Sequence, residues 1–195
     1  MTAPCLMLQG TASGVVKSLL TAALCRIFAR RGYRVAPFKA QNMSLNAAVT
    51  PDGREIGRAQ AAQAEAAGVE PTVDMNPILL KPEGDDRSHV VVHGVPIGSL
   101  TFREYGERRG ELFSAVAASL ARLRATHDLI VIEGAGSPAE INLSAGEIVN
   151  MRIARLADAP VLPILPLHHG WAAIHLRVSS PSRGLVQPSL WKMMA

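Results

Sequence analysis

An apolar run, Cys5-Leu6-Met7-Leu8-Gln9, breaks at Gly10 into a short polar stretch that ends Val16-Lys17-Ser18. It passes directly into apolar residues at helical spacing: Leu19, Leu20, Ala23, Leu24, Ile27 and Phe28. Strand, loop and helix in that order, followed by a second apolar run from Arg34 to Phe38, predict a parallel βαβ unit. A parallel sheet is stable only when helices cover its faces, so this one feature already restricts the fold class. The connecting loop, Gly10-Thr11-Ala12-Ser13-Gly14-Val15-Val16-Lys17-Ser18, nearly spells a phosphate-binding loop. In such a loop glycines let backbone N–H groups curl around phosphate oxygens, the lysine reaches the outer phosphates and the hydroxyl holds Mg²⁺. Gly10, Lys17 and Ser18 fit that chemistry, whereas Val16 stands where the second glycine belongs. Its β-branched side chain is expected to crowd a backbone that must pass close to phosphate, and to resist positive φ.

The rest of the chain repeats the alternation. Lys39 to Pro51 is expected to be a loop at a strand's carboxyl edge, and Glu55 to Ala67 a helix stopped by Gly68. Ile78 to Lys81 and His89 to His93 read as strands, an edge pair over the loops. Arg108 to Arg124 is helical by spacing, Asp128 to Ile132 is a bare apolar strand, Glu147 to Ala157 is helical and Ala159 to Leu165 is a further central strand. The expectation is an α/β fold, a mostly parallel sheet with helices on both faces, binding ligands at the carboxyl ends of its strands. Beyond Leu165 the periodicity stops, and 166–195 is expected to be a poorly ordered tail.

Composition narrows the function classes. In 195 residues, 48% hydrophobic and 18% charged, there is material for one sizeable core and no case for disorder. The net charge of +4 is thinly spread, as at Arg26, Arg30, Arg31 and Arg34, with few aromatics among the charges, so no nucleic-acid partner is expected. Cys5 and Cys25 form no C-x-x-C pair and read as core thiols. No apolar run approaches the roughly 20 residues of a membrane span, and no export signal opens the chain. A cytoplasmic protein without a membrane partner is expected.

Several side chains could carry chemistry. Lys39 follows a strand and is flanked by Gln41, Asn42, Ser44 and Asn46, a cluster able to bind phosphate or a substrate carboxylate, or simply a hydrophilic loop. Glu133 ends the Asp128 to Ile132 strand on the edge where the phosphate loop lies, which suits Mg²⁺ together with Ser18; a turn-capping glutamate remains the alternative. Asp52 in Pro51-Asp52-Gly53 is a weaker metal candidate, better explained as a turn. Gln60 and Gln63, one helical turn apart, are expected to be solvated. The adjacent His168 and His169 lack spaced metal partners and receive no role.

Three segments together carry a resemblance: Gln9-Gly10-Thr11-Ala12-Ser13; Pro37-Phe38-Lys39-Ala40-Gln41-Asn42-Met43-Ser44-Leu45-Asn46; and Ile132-Glu133-Gly134-Ala135-Gly136-Ser137-Pro138-Ala139-Glu140-Ile141-Asn142-Leu143. With Glu55-Ile56-Gly57-Arg58-Ala59-Gln60 and Asn76-Pro77-Ile78-Leu79-Leu80-Lys81-Pro82, the chain from Leu6 to about Leu165 resembles the cobyric acid synthases. The resemblance implies a P-loop NTPase fold similar to dethiobiotin synthetase, and ATP-dependent amidation of corrin-ring carboxylates in cobalamin biosynthesis, from adenosylcobyrinic acid a,c-diamide to adenosylcobyric acid. It implies ATP and Mg²⁺ as cofactors, a corrinoid as substrate and glutamine as the source of ammonia, and leaves a homodimer open. It also implies roles: Lys17 and Lys39 in catalysis; Gly10, Thr11, Ser13, Lys17 and Ser18 on the nucleotide; Ser18 and Glu133 on the metal; and Gln41, Asn42, Ser44, Asn46 and Asn142 on the substrate.

Three departures from the family accompany these matches. Val16 replaces a glycine, His168-His169-Gly170-Trp171 stands where the family continues Asp-Ile-Asp-Arg-Gly-Gly, and the family's C-terminal glutaminase domain is absent from the chain. The resulting expectation is a synthetase domain over 1–165, shortened and with an impaired phosphate loop, drawing ammonia from a separate glutaminase if it is active. Two rivals remain at this point. One is a non-catalytic P-loop nucleotide-binding module. The other is a dethiobiotin synthetase-like ligase, against which Lys39-Ala40-Gln41 stands in place of that family's lysine-proline-valine.

Overall fold

The computed structural model describes residues 2–10, 16–84, 86–135, 149–166 and 172–173. Its centre is a five-stranded sheet built from β1 (Cys5–Gly10), β2 (Val35–Phe38), β9 (Leu129–Glu133), β10 (Val161–Pro166) and β11 (Ala172–Ala173), in the order β11-β10-β1-β9-β2. Neighbours pair in parallel except β11, which runs antiparallel to β10 at the edge. Every residue of β1, β2 and β9 is buried, which is why these strands appear in the sequence as unbroken apolar runs. Alternate side chains serve opposite faces: Leu6, Leu8, Leu129 and Val131 pack with Cys25 and Phe28 of α1 (Lys17–Arg30). Met7, Ile130 and Ile132 pack with Leu112, Val116 and Leu120 of α4 (Arg109–Thr126) and with Ile153 of α5 (Met151–Ala157). The α/β architecture with helices on both faces is as expected.

The segment between β2 and α4 departs from expectation. Lys39 to Pro51 is not a plain loop: it contains β3 (Gln41–Met43) and β4 (Ala47–Val49). Strand β3 pairs in parallel with β6 (Ile78–Pro82), and β4 pairs antiparallel with β5 (Glu55–Gly57) around a turn in which the Thr50 hydroxyl accepts from Arg54 N at 3.1 Å. These strands are only three residues long, too short for hydrophobic patterning to reveal them. Because Glu55–Gly57 is committed to β5, the following helix α2 spans Arg58–Ala67 rather than starting at Glu55, and ends on Gly68 in the left-handed conformation.

The two expected strands at Ile78 and His89 are not an edge pair. They are β6 and β7 (Arg87–Val92), and with β3 and β8 (Val95–Thr101) they form a four-stranded sheet ordered β3-β6-β7-β8, in which β6 and β7 are central. The β7–β8 hairpin turns on His93 and Gly94, both at positive φ (47° and 73°), the backbone a two-residue turn requires. A short helix α3 (Phe102–Glu107) follows, opened by a capping box between Thr101 and Glu104. Of the expected tail, Pro166 belongs to β10 and Ala172–Ala173 to β11; the remainder lies outside the described residues, as do His168 and His169.

Candidate active site

Register decides which side chains can meet. Glu133 is level with Leu8 of β1, and Ile132 with Phe38 of β2. Gly10, Glu133 and Lys39 therefore leave the sheet side by side at its carboxyl edge, where ligands of such sheets bind. The N-terminus of α1 faces the same edge. Ser18, in its first turn, donates its hydroxyl to Glu133 Oε1 at 2.8 Å, and Lys39 Nζ lies 2.8 Å from the same oxygen. The other oxygen, Oε2, accepts from Gln63 Nε2 at 2.6 Å, and that amide also donates to the Ser18 carbonyl at 3.2 Å.

Glu133 is only 2% exposed, and a buried carboxylate is costly unless it is paired and hydrogen-bonded. Here an ammonium, a hydroxyl and an amide satisfy it, with the Lys39 side chain itself only 12% exposed. Of the two readings left open for Glu133, the capping role does not describe this geometry: its carboxylate is turned towards Ser18, Lys39 and Gln63. Lys17, in the same first turn of α1, is buried.

The backbone that presents Lys39 is also pinned. Its N–H donates to the Met75 carbonyl at 2.8 Å, and its own carbonyl accepts from Asn76 Nδ2 at 3.1 Å. Asn76 Oδ1 in turn accepts from Gly57 N at 3.1 Å. At Gly57 a Cβ would stand 2.5 Å from Asn42 Nδ2, 2.6 Å from Gln60 Oε1 and 2.9 Å from Asn76 Oδ1, so only glycine lets these three amides converge. Across the site, Asn150 grips the chain after Glu133, accepting from Ala135 N at 2.9 Å and donating to Ala135 O at 2.8 Å.

Ser18, Lys39, Asn42, Ser44 and Asn46 border one open cavity of about 360 Å³, together with Met43, Arg58 and Ala59. Five of the residues singled out from sequence thus share a site with Glu133 beneath it. Gln41 does not line this cavity; its Oε1 accepts from the Tyr105 hydroxyl at 2.5 Å, turned away from Asn42 as neighbours on a strand must be. Ser44 supports the loop as well, its hydroxyl accepting from Asn46 N at 3.0 Å. Thr11, Ser13 and Asn142 lie outside the described residues. Asp52 sits in the β4–β5 turn, bonded to the Thr50 hydroxyl at 2.5 Å, apart from Glu133.

One sequence expectation needs correction here. Gln60 and Gln63 are not solvated but buried, and with Ala64 and Ala67 they form the inner stripe of α2. The spacing 60, 63, 64, 67 carried that information; glutamine's polarity concealed it. Val16 adopts φ −8°, ψ 31° at the head of α1. Its side chain is 45% exposed. Asn76, Asn150 and Arg58 went unassigned, since lone polar residues beside turns carry no periodic signal.

Among the described residues no group of three or more His, Cys, Asp or Glu side chains could hold a metal. The donors at hand are the Ser18 hydroxyl and the Glu133 carboxylate, hard oxygens in the small number that Mg²⁺ takes when phosphates and waters complete its shell. The residues fit that ion.

Residues 6–172 match the family described as CobQ/CobB/MinD/ParA nucleotide binding domain. Among curated relatives, the cobyric acid synthase of Sorangium cellulosum is 70% identical over 162 residues, 83% of this chain and 31% of that protein. That of Chloroflexus aurantiacus is 58% identical over 170 residues, 87% of this chain and 35% of its own length. The enzyme of Moorella thermoacetica is 60% identical over 171 residues, 87% and 33% respectively. The chain spans about a third of the length of the curated relatives it matches.

Proposed function

The chain belongs to the CobQ/CobB/MinD/ParA nucleotide binding domain family, and from that premise we propose that it carries the synthetase chemistry of a cobyric acid synthase: ATP-dependent conversion of corrin carboxylates to amides. The observation that carries the proposal is the meeting of Ser18 Oγ and Lys39 Nζ on one oxygen of the buried Glu133, at 2.8 Å each, at the carboxyl edge of the parallel sheet.

A carboxylate is a poor electrophile until it is phosphorylated. Its oxygen attacks the γ-phosphorus of ATP, the bond to the ADP oxygen breaks, and an acyl phosphate forms. Ammonia then attacks the acyl carbon, the carbon–oxygen bond to phosphate breaks, and amide and orthophosphate leave with loss of a proton. The protein's part is positioning and charge neutralisation. Lys17 and the backbone N–H groups opening α1 face the outer phosphates, in the manner of anion sites at helix N-termini. Ser18 and Glu133 would hold Mg²⁺, which when bound supplies positive charge against the phosphate oxygens. Lys39 neutralises Glu133 in the unliganded chain, and an anionic phosphoryl group or carboxylate entering the cavity competes for the same ammonium.

The same reading gives Thr11 and Ser13 to the phosphates, and Gln41, Asn42, Ser44, Asn46 and Asn142 to the corrinoid. Glutamine is the source of the ammonia in this reading; Cys5 and Cys25, both buried and with thiols pushed up to about 12 by that burial, are not offered as its nucleophile. A cytoplasmic setting suits these substrates, and among the described residues no helix is long and apolar enough to cross a membrane.

The test is positional isotope exchange in ATP labelled at the β,γ-bridging oxygen, with Mg²⁺ and adenosylcobyrinic acid a,c-diamide and without ammonia. Scrambling that requires the corrinoid and disappears in Lys39→Met is the expected result. ATP turnover indifferent to the corrinoid, or no exchange at all, contradicts the proposal.

A further inference from the structure

On the other side of β3 from Asn42, a second cavity of about 310 Å³ opens between the four-stranded sheet and α3. Its walls are mostly apolar, formed by Met43, Leu80, Val90, Leu100 and Phe102. Two of these stand far into solvent, Phe102 at 66% exposure and Met43 at 62%. Large apolar side chains exposed around a concave surface mark binding sites more often than accidents of folding. Met43 borders this cavity and also the one beside Ser18 and Lys39, so a guest lying here reaches the proposed phosphoryl-transfer site across a single side chain.

The polar side chains in the wall are Gln41, Asp86, Arg87, Ser88, Thr101 and Tyr105. Tyr105 donates its hydroxyl to Gln41 Oε1 at 2.5 Å, which orients the amide and leaves its Nε2 hydrogens to donate to a guest. Burial raises the Tyr105 phenol well above its ordinary value, so it stays a donor at neutral pH. Arg87 supplies a cation at the margin. A mostly apolar hollow that carries an oriented amide donor, the Arg87 cation and the Asp86 carboxylate matches a guest with a broad apolar body and peripheral amides and carboxylates.

We propose that this cavity seats one edge of the corrin ring of the acceptor, with Gln41 donating to a peripheral amide or carboxylate, Tyr105 acting as the positioning residue for Gln41, and the reacting arm passing over Met43 towards Lys39. This rests on the corrinoid reading given above. It divides the acceptor between two cavities: the ring against the four-stranded sheet, the carboxylate at the edge of the five-stranded one.

The experiment is a visible-absorbance titration of the whole chain with cobyrinic acid a,c-diamide, with ATP affinity measured by calorimetry on the same samples. Phe102→Ala removes an exposed wall and Tyr105→Phe frees the Gln41 amide. Val95→Ala, on an exposed position at the other end of β8, is the control, and melting curves check that each variant is folded. Phe102→Ala is expected to weaken corrinoid binding about tenfold and Tyr105→Phe about threefold, with ATP affinity and the control unchanged. Corrinoid binding of equal strength in all four proteins overturns the cavity assignment and leaves the proposed function standing. ATP binding without any corrinoid binding in the unmodified chain overturns both.

Discussion

The two larger sheets are held together in different ways. In the five-stranded sheet, β1, β2 and β9 are buried along their whole length between α1 on one side and α4 and α5 on the other. In the four-stranded sheet, β8 begins with three exposed residues, Val95, Pro96 and Ile97, and β3 is half open to solvent. The first is a buried platform; the second is a shaped wall with a wet side. Lys39 and Ala40 are the link between β2 of the platform and β3 of the wall, and Asn76, just before β6, fixes that link from the other side. The proposed chemistry sits at the seam between the two sheets.

If that division holds, substitutions at the seam should be felt more strongly than those on the wall's wet face. The largest effect is expected from Glu133→Leu, which leaves the Lys39 ammonium buried without its counter-charge and should cost about 3 kcal/mol or more in urea denaturation. Adding Lys39→Met should recover most of that loss. A double variant no more stable than Glu133→Leu would show that the pair is not the source of the cost. Gln63→Leu removes the donor to Glu133 Oε2 and should cost about 1–2 kcal/mol by the same assay. Ile97→Ala, on the exposed start of β8, should stay within about 0.5 kcal/mol. Equal losses at Gln63 and Ile97 would abolish the distinction between seam and wall.

The smallest effect concerns the platform's thiols. Burial raises Cys5 and Cys25 from 9.0 to about 12, so the folded chain holds those protons longer than the unfolded one. Their influence is nil below pH 9 and lowers stability as pH rises from 9 towards 12. At pH 8 neither thiol should react with an aromatic disulfide reagent until denaturant is added; prompt reaction of either in the native chain would contradict its place in the core.

The same contrast explains what could be read in the sequence. Cys5–Gly10 and Leu129–Glu133 are buried on both faces, so hydrophobicity marks them without help from their neighbours, and the turn to α1 is marked by its loop. Gln41–Met43 owes its strand form to β6, far along the chain, and nothing local announces that partner; Ala47–Val49 pairs with the nearby β5 across the turn at 50–54, but three residues are too few for a strand pattern to show. In the site, Ser18, Lys39 and Glu133 follow directly from lying at the ends of legible elements. Gln63 was obscured because an amide inside a helix packing stripe looks like a surface residue until the carboxylate it serves, 70 positions away, is in place. Gly57 was hidden for a related reason: its lack of a Cβ matters only once Asn42, Gln60 and Asn76 crowd it.

The claim beneath all of this is that Ser18 and Glu133 serve one magnesium–phosphate site. Calorimetric titration of ATP with and without Mg²⁺, into the unmodified chain, Ser18→Ala, Glu133→Gln and the double variant, tests it most directly, with Val16→Gly run alongside to strengthen the signal. The account predicts that Val16→Gly tightens ATP binding, that Mg²⁺ tightens it further, and that either site substitution abolishes the Mg²⁺ increment while the double variant loses no more than one of them. An increment that survives both substitutions, or losses that simply add, would contradict it.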